Sequence, residues 1–276
     1  MERTEFFNGV EKELNERGYT TRQVKVFKNG VARDGLCIGE GEIRPNIYFD
    51  DFYNAGLSIS ETADKIIEFV DMNTLSDETK DKALSFIKDK DFCLERVRID
   101  CSKANTYTDC INRQENGITL SIVIDLTGII DYATCRVKPE MLENWNISEE
   151  ELWERAKANS EKDVVIKSMF ETLTVLMDGE EPPFDDSNNP PVLVVTNKSM
   201  SHGAYAVFTE TAKAEIKRRM KTDEVIILPS SIHETIVVPY KDENGMEEVT
   251  NMVREVNATQ VADEDVLSDT PFRMAI

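Results

Sequence analysis

The chain has 276 residues, 40% of them apolar and 8% aromatic, which is enough to build a sizeable core and excludes a disordered polymer as its default state. Its 53 acidic residues against 32 basic ones leave a formal net charge of −21, a field that repels phosphate backbones and anionic lipid and so argues against direct nucleic-acid or membrane binding. Either the acidity serves solubility, or the surface meets a basic partner, in the limit as a mimic of nucleic acid in a basic groove. The acids are dispersed over helices and loops, with only short clusters at Glu149-Glu150-Glu151 and Asp185-Asp186.

Residues 2–17 predict an amphipathic helix, with Phe6, Val10 and Leu14 four apart on one face. Residues 23–27 alternate as a strand, and Asn29-Gly30 predicts a tight hairpin turn returning through Leu36, Cys37 and Ile38. Residues 45–49 are extended. Ser60 is a candidate N-cap for a helix carrying Ala63, Ile66, Ile67 and Val70, and residues 76–88 predict another helix with Leu84 and Ile87 on its apolar stripe.

Residues 92–99, 118–124 and 133–137 predict strands of a central sheet. Pro139 suits the first turn of a helix containing Met141, Leu142 and Trp145, and Ser148 with Glu151 has capping-box spacing ahead of Leu152, Trp153 and Ala156. The two tryptophans are expected in the core. Residues 178–191, rich in Gly, Pro, Asn and acid, predict a linker between a region over 1–178 and another over 190–276. Beyond it come a strand at 192–196, a helix at 203–221, strands at 224–229 and 234–240, a turn at Asn244-Gly245, and a helix at 247–257 with Val249, Met252, Val253 and Val256 facing the sheet. The expected fold is α+β, a mixed sheet with flanking helices and a C-terminal β-α-β-β-α unit.

The five cysteines, Cys37, Cys93, Cys101, Cys110 and Cys135, are odd in number and lack close CxxC spacing, as expected of reduced thiols in a cytoplasm. The first residues are charged where a signal peptide needs an apolar stretch, and no apolar run reaches a membrane span. No GxGxxG or GxxxxGK pattern is present and the histidines lack metal-ligand spacing, so no cofactor or metal is expected.

The chemistry-bearing residues concentrate near the two histidines. Pro229-Ser230-Ser231-Ile232-His233-Glu234 lies between two strands and supplies nucleophile, base and carboxylate types: Ser230, Ser231, His233 and Glu234 are the catalytic candidates of a serine hydrolase. The same residue types also satisfy the backbone of a tight strand corner, and His233 and Glu234 point to opposite faces unless the chain turns between them. The binding candidates are Asn197, Lys198, Ser199, Ser201, His202 and Gly203, where a strand passes into a helix whose first amides could receive an anion or carbonyl oxygen. The two histidine segments could meet.

Several segments together, among them Pro45 to Asp50, Trp145-Asn146-Ile147-Ser148, Thr196-Asn197-Lys198, Pro229 to Glu234 and Glu255-Val256-Asn257, make the chain resemble an uncharacterised domain family of bacterial proteins. That family is abundant in anaerobic gut bacteria and often encoded near mobile elements. The resemblance implies an intracellular α+β protein and carries no catalytic residue across. The expected function is a non-enzymatic interaction protein of the cytoplasm, accessory to a mobile element or interfering with a host, with a basic, nucleic-acid-handling partner. The alternative is the serine hydrolase.

Overall fold

The structure, a computed structural model, describes residues 1–40, 43–130, 133–177, 180 and 191–276. It divides into two compact units, Met1–Leu84 and Ser85–Ile276. The expected linker at 178–191 lies outside the described residues apart from Glu180 and Pro191, and the strands that flank it belong to one sheet.

In the first unit α1 (Arg3–Glu16) is followed by an antiparallel sheet of β1 (Thr21–Lys28), β2 (Val31–Ile38) and β3 (Asn46–Tyr48), then α2 (Asp50–Asn54) and α3 (Ile59–Asn73). Phe6, Val10 and Leu14 are buried as their spacing requires, with Leu36, Ile47, Phe49, Ala63 and Ile66. The β1–β2 hairpin turns at Asn29 and Gly30, both at positive φ (47° and 81°), which Gly adopts without a Cβ clash. The cap of α3 is Ser58, not Ser60: Ser58 Oγ accepts from the Glu61 amide while the Glu61 carboxylate takes the Ser58 amide. Helix α4 (Asp77–Lys88) runs across the boundary between the units.

After the end of α4 the second unit continues with α5 (Lys90–Arg96), where a strand was expected from residue 92. Asp89 caps this helix through the Phe92 amide, and period-two alternation starts only at Val97. The strands β4 (Val97–Lys103), β5 (Asn112–Glu115), β6 (Ile118–Asp125) and β7 (Thr134–Arg136) form one antiparallel sheet. Val97, Ile99 and Cys101 of β4, with Ile118, Leu120, Ile122 and Ile124 of β6, pack on α6 (Pro139–Trp145) and α7 (Glu149–Ser160), burying Trp145 and Trp153 as expected. Alternation sends Arg98, Asp100 and Ser102, with Thr119 and Ser121, to the other face.

The remaining elements are β8 (Val164–Ser168), α8 (Met169–Leu176), β9 (Leu193–Asn197), α9 (Glu210–Met220), β10 (Glu224–Leu228), β11 (Thr235–Pro239), α10 (Glu243–Thr259) and β12 (Phe272–Ala275). The sheet order is β12-β10-β11-β9-β8, and every described pairing in the molecule is antiparallel where a mixed sheet was expected. Val225 and Ile227 of β10 pack towards α9, while Ile226 and Leu228 face α10. The fold is α+β.

Two helices differ from their sequence pattern for identifiable reasons. Thr209, extended at ψ 149°, caps α9 through the Ala212 amide, so 203–221 divides into a 3-10 turn at Ala204–Phe208 and a shorter α-helix. Asp242 caps α10 through the Gly245 amide, which draws Asn244-Gly245 into the first helical turn. On α10 Val253 is buried and Val249 partly so, but Met252 (56%) and Val256 (38%) are exposed.

Ser58→Ala is expected to destabilise the first unit by about 1 kcal/mol, whereas Ser60→Ala, which loses only a surface contact from Arg17, costs less than about 0.5 kcal/mol. Urea unfolding of the two variants distinguishes the caps.

Candidate functional site

The polar face of β4 supplies the centre of the site. Asp100 is 3% exposed, and a buried carboxylate must be paired and hydrogen-bonded to remain ionised. Its Oδ2 lies 3.1 Å from Arg136 Nη1, reached from β7, and that same Nη1 donates to Ser121 Oγ at 2.6 Å, on the β6 residue directly opposite Asp100. The Arg136 guanidinium also lies over the Tyr107 ring, 3.4 Å from its centroid. The Asp100 Oδ1 lies 3.1 Å from His202 Nδ1. This contact raises the His202 pKa above its ordinary value, against the opposing effect of burial.

His202 reaches Asp100 from the segment that leaves β9. Asn197 organises that segment, its Oδ1 accepting from the Ser201 amide and Ser199 Oγ, its Nδ2 donating to the Ser201 carbonyl. Met200 and His202 hold left-handed backbone, φ 52° and 51°. Lys198 leads elsewhere, to the Lys162 carbonyl and the Asp163 carboxylate.

The two histidine segments converge. The His202 amide donates to His233 Nδ1 at 3.2 Å, and the rings sit edge to face with centroids 5.4 Å apart. His233 Nε2 lies 3.3 Å from Asp265 Oδ1. The Gly203 amide and Thr196 Oγ1 both donate to the His233 carbonyl, and the Ala204 amide donates to the Ile232 carbonyl. The amides that the sequence offered to an anion are thus consumed in joining the segments. Gly203 is required by contact: a Cβ there would stand 2.3 Å from Thr196 Oγ1, 2.6 Å from the Asn197 nitrogen and 2.7 Å from the His233 oxygen.

The hydrolase candidates do not form a relay. Ser231 is buried and its Oγ accepts from the His233 amide, not from the imidazole. The His233 ring spends Nδ1 as an acceptor and Nε2 towards Asp265, leaving neither nitrogen to take a serine proton. The acid at His233 is Asp265, and Glu234 makes no hydrogen bond or ion pair with it. Ser230 contributes its carbonyl to the Leu267 amide. The corner is stitched to the segment after α10 by that bond, by Ile232 to Asp265, and by a bridge between Ser231 and Val266.

Sequence reasoning missed Asp100, Arg136 and Asp265. The signal for Asp100 was present in Val97-Arg98-Ile99-Asp100-Cys101-Ser102, whose alternation places an acid on the same face as an arginine and a serine. His202 also lines a cavity of about 90 Å³ beside β4, whose other charged walls are Asp100, Arg98, Asp125 and Asp163. Arg98 joins the Asp125 and Asp163 carboxylates. All five cysteines are free; burial raises the thiol pKa of Cys101 far above its usual value and that of Cys93 to about 12, which makes them inert. Among the described residues no group of three or more His, Cys, Asp or Glu could hold a metal ion, and no helix is long and apolar enough to cross a membrane.

Residues 3–273 match a family of unknown function, DUF5688. The chain belongs to this family. The match covers nearly the whole chain, including every residue of the site. No curated protein and no solved structure matches the chain.

Two outcomes test this geometry. Because the folded His202 pKa is raised, its contact with Asp100 stabilises the fold fully below the unfolded value near 6.5 and is lost as pH rises through the folded value. Imidazole NMR between about pH 5 and pH 9 is expected to show the His202 midpoint above about 6.5 in the native protein and lowered in Asp100→Asn. Gly203→Ala is expected to destabilise by about 3 kcal/mol in urea unfolding, since the neighbours of the new methyl are backbone atoms and a fixed hydroxyl.

Proposed function

We propose that the protein is a non-enzymatic interaction module whose partner is basic, with the outward face of α10 as its docking surface. That face carries the reading. Asp242, Glu243, Glu247, Glu248 and Glu255 are exposed along it, Lys241 and Arg254 are the basic residues of the same stretch, and Met252 and Val256 are exposed beside them. An adaptable thioether flanked by carboxylates suits a partner surface that mixes Lys or Arg with apolar side chains. The charge of the chain as a whole steers a basic partner towards it and turns polyanions away.

The histidine corner supports the non-enzymatic reading by its own geometry, since His233 and Ser231 are both committed to bonds that hold segments together. A basic partner of the kind that handles nucleic acid, a cytoplasmic setting, and an accessory role beside mobile elements in gut bacteria complete the proposal; they rest on the charge and on the resemblance noted above.

Binding of an arginine-rich peptide, measured calorimetrically, is expected to weaken at least tenfold between about 50 and 500 mM salt. Reversing Glu247 and Glu248 to lysine should weaken it by about tenfold more than reversing Glu150 and Glu151 on α7 does. Salt-independent binding, or equal effects at the two helices, would overturn docking on α10. A serine-reactive phosphonate is expected to label neither Ser230 nor Ser231; labelling that vanishes in His233→Ala would establish the hydrolase instead.

A further inference from the structure

We propose that the outer edge of β1 is a docking site for an acidic, extended segment of a partner protein, which joins the three-stranded sheet as a further, antiparallel strand. The site lies in the first unit and is independent of docking on α10, an element of the second. Among the described residues β1 pairs with β2 alone, in register over its eight residues and without a bulge or a proline. Alternation divides its backbone. The Gly39 amide donates to the Thr20 carbonyl at 2.8 Å, and every second residue of an antiparallel ladder repeats that orientation, so Arg22, Val24, Val26 and Lys28 spend their amides and carbonyls on β2. Thr21, Gln23, Lys25 and Phe27 direct theirs outwards. Such an edge is a template for another strand unless it is short, bent or covered, and β1 is a regular strand whose residues are exposed or half-buried throughout.

Its side chains select the occupant. Arg22, Lys25 and Lys28 place three bases and no acid on this strand, in a chain whose net charge is −21. The acids at its border are engaged: Glu11 accepts from Gln23 Nε2 at 2.6 Å, and Asp34, 3.9 Å from Lys25 Nζ, accepts from Arg3 at 3.0 Å. Lys28 Nζ lies over the Tyr48 ring and keeps its charge there. Phe27, 62% exposed, and the half-buried Val24 and Val26 add the aromatic and β-branched surface that pairs well across strands. A second copy of the chain is disfavoured, because an antiparallel pair of β1 strands sets base against base. The acidity of the rest of the chain does not repel an acidic segment here, since at physiological salt charges beyond roughly 8 Å are largely screened.

The three bases stand three residues apart and therefore alternate between the two faces of the strand. A segment lying antiparallel to β1 meets all of them with acids at its first, fourth and seventh positions, and meets Phe27, Val26 and Val24 with the apolar residues between.

The probe is the heptapeptide acetyl-Glu-Val-Val-Glu-Val-Thr-Glu-amide, titrated into the full chain while backbone amide exchange is followed by NMR. Saturable binding is expected to slow exchange at least tenfold at the Gln23, Lys25 and Phe27 amides, with no comparable change at Val24 and Val26, which already donate to β2. N-methylation of the second, fourth and sixth probe residues, whose amides face β1, should abolish binding, whereas the same change at the third and fifth should alter it by less than about threefold. A probe with lysine for every glutamate should bind at least tenfold more weakly, and Lys25→Glu should weaken the acidic probe while restoring affinity for one with lysine at its fourth position. The proposal is overturned if the acidic probe does not saturate, if binding survives methylation of the inward amides, if protection does not alternate along β1, or if the lysine probe binds as tightly. Alternating protection that arises in the chain alone as its concentration is raised would assign the edge to a second copy and overturn it as well.

Discussion

A single carboxylate organises the second unit. Asp100 stands on the interior of a sheet face where water does not compensate its charge, and breaking such a pair leaves an uncompensated ion at a cost of several kcal/mol. The sheet answers with Arg136 and Ser121 from neighbouring strands, and the segment beyond β9 answers with His202. Once His202 is fixed, its amide fixes the His233 ring, and the Gly203 and Ala204 amides fix the His233 and Ile232 carbonyls. The corner between β10 and β11 is thereby set by an ion on a different sheet.

This chain of dependence explains why residues that read as catalytic are occupied in structure. A histidine beside two serines is a nucleophile's neighbourhood only when one imidazole nitrogen is open towards a hydroxyl. Here both nitrogens of His233 are taken, and the neighbouring hydroxyl of Ser231 satisfies a backbone amide at a bend. The open nitrogen belongs instead to His202, whose sequence neighbours carry no catalytic pattern.

Much of the architecture was legible because local signals agreed with one another. The Phe6, Val10 and Leu14 stripe, the Asn29-Gly30 turn, the Ser148 cap and the apolar runs of β6, β9 and β10 each combined pattern with punctuation. Where two signals competed, side-chain caps decided: Asp89 made a helix of a segment that resembles a strand, Thr209 divided a helix, and Asp242 absorbed a turn dipeptide. The convergence of the histidines was legible only as an opportunity, since both follow strands of one sheet. Their carboxylate partners, Asp100 and Asp265, come from other parts of the chain, and no local pattern couples them to the histidines.

The separation in sequence has a kinetic corollary. His202 meets Asp100 across 102 residues, and Lys103 at the far end of β4 reaches the Asp263 carbonyl across 160. Contacts that close such long loops repay their entropy only after the local helices and hairpins exist, so they belong to the last stage of assembly. The contact of His202 with Asp100 is therefore a built-in marker of completed folding: a molecule in which it stands has already joined its two sheets, whereas the two rings, both carried by one sheet, can meet before that.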